Sequence, residues 1–367
     1  MEIRVNLGER SYDIVITSDD AAGIGPFARR RCPGAKALIV ADEIVGPRHG
    51  ASLVGALQTA GFEVHGIDLP SGESQKSLTT ASRLYDMLLD MQADRKTLMV
   101  ALGGGVVGDL AGFVAATYSR GLPLLMVPTT LLAMVDSAIG GKVGVNHPRA
   151  KNLIGAFHQP IGVWIDTALL ATLPDREFRS GLAEIVKYGV ILDPELFAYL
   201  ETNADAILQR QYQAIRHIVT RCCRLKAGVV EQDEREEKGV RVVLNYGHTF
   251  AHAFETVGGD GAWLHGEAVA AGMVCAARVA ERRGLVAPDV VERQRVLLTR
   301  FGLPTAPQRW PLAELLAVMH SDKKSVSGRL RLVLPRRLGE VALFDEVPEN
   351  DVRFTLEQSL GEAATRE

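Results

Sequence analysis

Glu184 and Lys187 lie three apart in "SGLAEIVKYG", and His248 and His252 lie four apart in "NYGHTFAHAFE", so each pair shares one face of a helix. His265 precedes "GEAVAAGMV", at the mouth of a strongly apolar helix. A carboxylate that interrupts an apolar stripe, as Glu184 does, needs a cation or a set of hydrogen bonds. Glu184, His265 and one of the helical histidines would form the two-imidazole, one-carboxylate set with open positions that catalytic zinc uses. Spacing leaves open which of His248 and His252 is the ligand, and helical histidines four apart are more often solvated or hydrogen-bonded in place. The lack of H-E-x-x-H argues against a common zinc protease.

A second chemistry is suggested by "LGGGVVGDLAGFVAA", which follows a strand and opens a helix. Bare glycine N–H groups and a helix N-terminus can face a pyrophosphate. Gly103, Gly105 and Gly108 satisfy G-x-G-x-x-G, although on a later strand than the usual Rossmann fingerprint, and a tight turn alone would explain them as well. Asp109 would then be a first-turn carboxylate. Glu73 and Lys76 sit in the turn-rich "PSGESQK", where loop charges are usually just solvated. The long segment "VPTTLLAMVDSAIGGKVGVNHPRAKNLIGAFHQP" is dense in polar and small residues, a character of ligand-lining chain. Asp136, Lys142, Lys151 and Asn152 are its sharpest members. Arg120, Lys226, Arg241 and the Lys323–Lys324 pair each adjoin apolar or small residues and could supply anion holes for a carboxylate and a phosphate. With a metal holding adjacent hydroxyl oxygens and a nicotinamide taking hydride from one of those carbons, the two motifs would serve one reaction.

The elements that must position these residues divide in two. A chain of 367 residues exceeds one hydrophobic core, so two domains are expected. Up to about Leu173, strands at Lys36–Asp42, "FEVHGIDL", "TLMVALGGG" and "PLLMVPTT" alternate with helices at "HGASLVGALQTAG" and "SLTTASRLYDMLLDMQA". That rhythm predicts a parallel α/β sheet, after an N-terminal strand pair in "MEIRVNLGERSYDIVI". From Pro174 onward the periodicity is helical, with "RLRLVLP" the only returning strand and the polar "GEAATRE" a frayed end. The predicted division is residues 1–173 and 174–367. Lys plus Arg numbers 41 against 44 for Asp plus Glu, a formal net charge of −3 that offers no surplus for a nucleic-acid backbone. Cys32, Cys222, Cys223 and Cys275 show no CxxC spacing, as in a reduced cytosolic chain. No signal-peptide block and no membrane-length apolar run is present, so a soluble cytoplasmic protein is expected.

Taken in order, "GGGVVGDLAGFVAATYSRG", the long central segment, "LAEIVKYG", "DEREEKGVRVVLNYGHTFAHAFE", "LHGEAVAAGMV" and "SDKK" resemble the 3-dehydroquinate synthase family, from about Asp42 to Pro335. The resemblance implies a Rossmann-like NAD-binding α/β domain, a mainly helical metal-binding domain and an active site in the cleft between them. It implies zinc (or cobalt) on Glu184, His248 and His265. NAD would contact Asp42, Glu73, Lys76, Gly104, Gly105, Asp109, Thr129, Thr130, Lys142 and Lys151. His252, Lys142, Asn152, Lys187 and Asp136 would act in catalysis, with His252 a phosphate and proton-transfer residue. Arg120, Lys226, Arg241, Asn245 and Lys323 would bind a small sugar-acid phosphate, Arg120 from the partner of a homodimer. The implied reaction takes 3-deoxy-D-arabino-heptulosonate 7-phosphate through transient C5 oxidation, β-elimination of phosphate, reduction and intramolecular aldol closure.

Two positions depart from the family pattern or leave it ambiguous: Ala251 stands where many members carry glycine, and "DEREEKG" leaves Glu236 and Glu237 as alternatives for one substrate contact. Another sugar-phosphate cyclase, or a metal-dependent glycerol or alcohol dehydrogenase, is the rival expectation. The basic pair Lys226 and Arg241 favours a substrate carrying a carboxylate, which sedoheptulose phosphate lacks.

Overall fold

The computed structural model describes residues 1–259, 261–321 and 330–364. The chain forms two compact units, one comprising Met1–Pro174 with Ile215–Arg235, the other Asp175–Ala214 with Glu236–Glu367. The chain thus leaves the first unit after Pro174 and re-enters it for residues 215–235, crossing over inside the helix Tyr212–Gln232.

The first unit is built on a seven-stranded sheet. Its strands are β1 (Glu2–Val5), β2 (Tyr12–Thr17), β3 (Lys36–Asp42), β4 (Glu63–Leu69), β5 (Leu98–Gly103), β6 (Leu124–Pro128) and, after the hairpin of β7 (Lys142–His147) and β8 (Ala150–Phe157), β9 (Gly162–Asp166). The order is β1-β2-β9-β6-β5-β3-β4, with β1–β2 antiparallel and every other neighbouring pair parallel. β5, β6 and β9 are buried along their whole length, as strands covered on both faces must be.

Four helices follow in sequence: α1 (Ile24–Arg31), α2 (Ala51–Thr59), α3 (Leu78–Asp90) and α4 (Gly105–Thr117). Phe27 of α1 and Leu53 and Leu57 of α2 join Ile39, Val100, Leu125 and Trp164 in one apolar cluster. α3 starts where the sequence places it, because the Ser77 hydroxyl accepts from Thr80 N at 3.2 Å. α4 runs close beneath β7: a Cβ at Gly112 would lie 2.3 Å from Val143 Cγ1. The sheet reverses direction of growth between β3 and β5, and in such folds ligands gather at the carboxyl ends of the strands flanking that reversal.

The second unit contains α5 (Asp175–Ile191), α6 (Pro194–Leu208), the first residues of α7 (Tyr212–Gln232), α8 (His248–Gly258), α9 (His265–Arg282), α10 (Pro288–Arg300), α11 (Leu312–Ser321), the hairpin β10 (Leu330–Arg337) and β11 (Glu340–Val347), and α12 (Glu349–Ala364). α9 is buried on nearly every face, as a central helix is. It approaches its neighbours at glycines: a Cβ on Gly266 would sit 1.9 Å from Ser180 O, and one on Gly272 2.3 Å from Gly247 O.

Besides the return of residues 215–235 to the first unit, two features differ from the sequence reading. The returning strand near Leu330 has a partner, β11, whose half-buried, charge-bearing "EVALFDEV" hides its strand character. The helix α12 continues through Ala364, past the first residues of the segment expected to fray. All four cysteines are buried thiols, and burial pushes that of Cys223 up to about 12.

Candidate active site

In the second unit three helices bring Glu184, His248 and His265 together. Glu184 lies mid-helix in α5 and is fully buried, whereas the two histidines are the first residues of α8 and α9. Gly247, at φ 80°, supplies the left-handed turn that starts α8 at His248. α9 is started by Glu267, whose Oε2 accepts from Leu264 N at 2.7 Å. Arg176 holds that same carboxylate through two bonds of 2.7 Å and donates to Ala262 O at 3.2 Å, fixing the turn before His265.

The three donor atoms lie within 4.8 Å of one another, and each histidine Nε2 is 3.7 Å from Glu184 Oε1. Those gaps exceed hydrogen-bond range, and among the described residues Glu184 Oε1 has no hydrogen-bond partner despite complete burial. Tetrahedral zinc, with bonds of about 2.0–2.1 Å, needs ligand atoms roughly 3.3–3.5 Å apart. The two carboxylate–imidazole gaps exceed that spacing by a few tenths of an ångström, so the trio fits an ion once its side chains close on it.

The proton positions follow from the outer contacts. His248 Nδ1 is 3.2 Å from Tyr246 O, a carbonyl that can only accept, so the proton is assigned to Nδ1 and the Nε2 lone pair faces Glu184. His265 Nδ1 is 3.1 Å from Glu255 Oε1, which assigns that imidazole the same way. Burial opposes the charged form of His265, but the Glu255 and Glu184 carboxylates outweigh it and raise the pKa above the ordinary value. Two imidazole edges and a buried carboxylate converging on one point form an arrangement a cation satisfies.

Lys187, almost fully buried, forms an ion pair with the other carboxylate oxygen, Glu184 Oε2. His252 stands one turn along α8, its ring centroid 5.9 Å from that of His248, outside the converging trio.

In the first unit, Asp42 ends β3 and the glycine turn ends β5, next to each other at the point where sheet order reverses. The first turn of α4 has no side-chain cap on Gly104 to occupy its N–H groups. A Cβ on Gly104 would come within 3.1 Å of Thr130 Cγ2, and one on Gly105 within 3.3 Å of Ser137 Oγ, so a side chain on either would crowd the turn. Thr129 donates its backbone N–H to Gly103 O at 3.0 Å, yet its buried Oγ1 has no hydrogen-bond partner among the described residues. An open helix mouth, bare glycines and an unsatisfied hydroxyl fit a dinucleotide pyrophosphate. Asp42 spends one oxygen on the following turn, accepting from Ile44 N at 2.9 Å and Val45 N at 2.8 Å.

Lys76 is buried and pairs with Asp109 Oδ2 at 2.6 Å while donating to Asn152 Oδ1. Burial pushes the Asp109 carboxyl upward and Lys76 opposes it. Asn146 ties this group together. Its amide donates to Glu73 Oε1 at 2.7 Å, its Oδ1 accepts from Asn152 N at 2.8 Å, and its backbone N–H donates to Lys76 O at 2.8 Å. Asn152 takes a left-handed φ of 55°, which asparagine tolerates better than most residues.

Lys226, from the part of α7 in the first unit, donates to both the backbone oxygen and Oδ1 of Asp136 at 2.6 Å. Arg241, buried in the second unit, lies 3.4 Å from Glu236 Oε1, one of the two glutamates left ambiguous by sequence. Lys142 and Lys151 are exposed on β7 and β8, Arg120 is exposed at φ 67°, and Asn245 is half-buried before α8. Lys323 and Lys324 lie outside the described residues. Ala251 is wholly buried within α8. Sequence reasoning missed Asn146 and Glu255. The first sat inside the segment flagged as ligand-lining; the second gave no local signal, ten residues before the histidine it touches.

A doubly wound sheet with an open glycine turn at its reversal, and a helical unit with a converging carboxylate–imidazole trio, define the class: an α/β enzyme of nucleotide-cradle and ion-corner type. The 3-dehydroquinate synthase N-terminal family profile matches residues 66–180 and the C-terminal profile residues 181–325. The 3-dehydroquinate synthase of Desulforamulus reducens is 50% identical over 357 residues, covering 97% of this chain and 99% of that protein. Among solved structures, ValA, the 2-epi-5-epi-valiolone synthase of Streptomyces hygroscopicus subsp. jinggangensis with NAD+ and Zn2+ bound, has a TM-score of 0.88 at 29% identity, covering 99% of each chain. A 2-deoxy-scyllo-inosose synthase complexed with carbaglucose-6-phosphate, NAD+ and Co2+ has a TM-score of 0.89 at 25% identity, covering 98% of this chain and all of the other. The chain belongs to the 3-dehydroquinate synthase family.

Proposed function

We propose that this chain converts 3-deoxy-D-arabino-heptulosonate 7-phosphate into 3-dehydroquinate and phosphate, as an NAD- and metal-dependent phosphorus–oxygen lyase working as a cytoplasmic homodimer. Family membership at 50% identity over nearly the whole chain supports the activity. The single structural observation that carries the chemistry is the buried Glu184 Oε1, without a donor and faced by two imidazole lone pairs. When bound, NAD supplies a hydride acceptor that returns the hydride within one turnover, and a divalent zinc or cobalt ion supplies Lewis acidity beside the C4 and C5 hydroxyls.

The chain's own residues divide the remaining work. Glu184, His248 and His265 hold the ion, and Lys187 keeps positive charge against the outer oxygen of Glu184. The N-terminus of α4, with Gly104, Gly105, Thr129 and Thr130, receives the pyrophosphate; Asp42, Glu73, Lys76, Asp109, Lys142 and Lys151 orient the rest of the dinucleotide. His252, one turn from His248, steadies the substrate phosphate and relays a proton, with Lys142 and Asn152 as further phosphate contacts. The phosphate is itself the base that removes the C6 proton before it leaves. Lys226, poised by Asp136, together with Arg241, Asn245, Lys323 and Arg120 of the partner subunit, would receive the remaining anionic and hydroxyl groups. In this reading residues 1–173 handle the dinucleotide and 174–367 the metal.

Incubation with the heptulosonate phosphate, zinc and NAD should release one phosphate per substrate with no build-up of NADH. Stoichiometric NADH would instead identify a dehydrogenase, and turnover of sedoheptulose 7-phosphate in its place would identify a different cyclase. Arg241→Ala should retain zinc and raise KM, which a role in metal binding would not give.

A further inference from the structure

We propose that Glu255 is the positioning residue that fixes the orientation and proton of His265, and thereby sets the affinity of the ion corner. The proposal rests on the metal reading above and goes one contact beyond it.

The two imidazoles of the trio are anchored unequally. His248 is largely enclosed, with 13% of its side chain exposed, and its Nδ1 meets the carbonyl of Tyr246. Tyr246 is itself wholly buried, its hydroxyl bonded to Gln294 Oε1 at 2.9 Å and Met273 O at 3.1 Å, so this anchor is part of the core. His265 has 38% of its side chain exposed and sits on the first residue of its helix, where packing on preceding turns is missing. Apart from an edge contact with the His248 ring, centroids 5.4 Å apart, the polar hold on the ring's outer nitrogen is its 3.1 Å contact to Glu255 Oε1. Glu255 comes from α8, seven residues after His248, so one short helix carries both a member of the trio and the support of another.

A neutral imidazole has one N–H. With carboxylate oxygens facing both nitrogens of His265, at 3.1 and 3.7 Å, the proton goes to the nearer, and Nε2 is left as a donor for an ion. Remove Glu255 and the ring is free to turn, or to carry its proton on Nε2 toward Glu184. Either change removes the third donor. Carboxylate partners of this kind typically account for 10–100-fold in metal affinity.

The test measures zinc affinity of the full chain by chelator competition, alongside the visible absorption of the cobalt-substituted protein, which reports ligand number and geometry. Glu255→Ala should weaken zinc by about 10–100-fold and alter the cobalt spectrum. Glu255→Gln, whose amide oxygen can still accept from Nδ1, should lose less and keep a spectrum close to the parent. The isosteric Gln variant decides the matter if the Ala variant fails to fold. Affinity within twofold of the parent in both variants would overturn the proposal while leaving the metal reading intact. Loss of zinc as complete as in Glu184→Ala would also overturn it, by making Glu255 a direct ligand. A parent protein that binds no zinc at all would bring down the metal reading and this inference together.

Discussion

The cradle of the first unit and the ion corner of the second solve opposite problems. In the cradle the charged groups already satisfy one another: Lys76 with Asp109 and Asn152, Glu73 with Asn146, Lys226 with Asp136. What stays open there is backbone, the first turn of α4, together with one hydroxyl of Thr129. In the ion corner the backbone is helical and the open group is a buried carboxylate oxygen. A dinucleotide is large and is recognised by many small contacts, so its site can be stable beforehand. An ion is small and replaces every missing contact at once, so its site holds an unmet demand until it is filled. Removing one residue should therefore be graded in the cradle and steep in the corner.

The largest effect is expected from Glu184→Ala. It should abolish zinc binding and phosphate release, and it leaves Lys187 buried without its partner, at a cost of about 3–5 kcal/mol. Metal analysis and urea unfolding check the two parts, and full zinc in this variant would remove the contrast altogether. Gly266→Ala comes next. Its methyl would meet Ser180 O at 1.9 Å, so α9 must shift and carry His265 with it. A loss of about 1–3 kcal/mol in stability should accompany weakened zinc binding. Lys76→Met should be milder, weakening NAD about tenfold by equilibrium titration while zinc binding stays unchanged. A complete loss of NAD binding would show that the cradle is as steep as the corner.

The smallest effect concerns the turn just after α7, which also belongs to the first unit. The Arg10 guanidinium, at 2.7 and 2.9 Å, holds the Glu234 carboxyl below the usual carboxylate range. A lowered value means that this contribution is present above the unfolded pKa, about 4.3, and fades as pH falls through the folded one. Glu234→Gln should therefore flatten the acid side of a plot of urea midpoint against pH, with no change near neutrality in its slope.

The sheet was legible because burial on both faces writes continuous apolar runs: Lys36–Asp42 is a strand in sequence and in structure. The Ser77 cap and the glycine turn were legible because backbone geometry restricts which residues can occupy them. The trio was only half legible. Spacing could not choose between His248 and His252, because the choice is made by the turn at Gly247, the carbonyl of Tyr246 and the entry of α9, all tertiary facts. Glu255 and Asn146 were hidden for the same reason, since each acts on residues that chain spacing does not point to. The return of the chain to the first unit at Ile215 left no mark either, because it falls inside α7, with no break in composition or periodicity.

A pair of imidazoles and one carboxylate is a borderline donor set with no strong filter for ionic radius. Its preference among divalent first-row metals should follow the general stability series, in which copper lies above both cobalt and zinc. The element recovered with the purified protein would then record what the cell or the culture medium supplied. Metal content alone would be a poor guide to which ion serves in life.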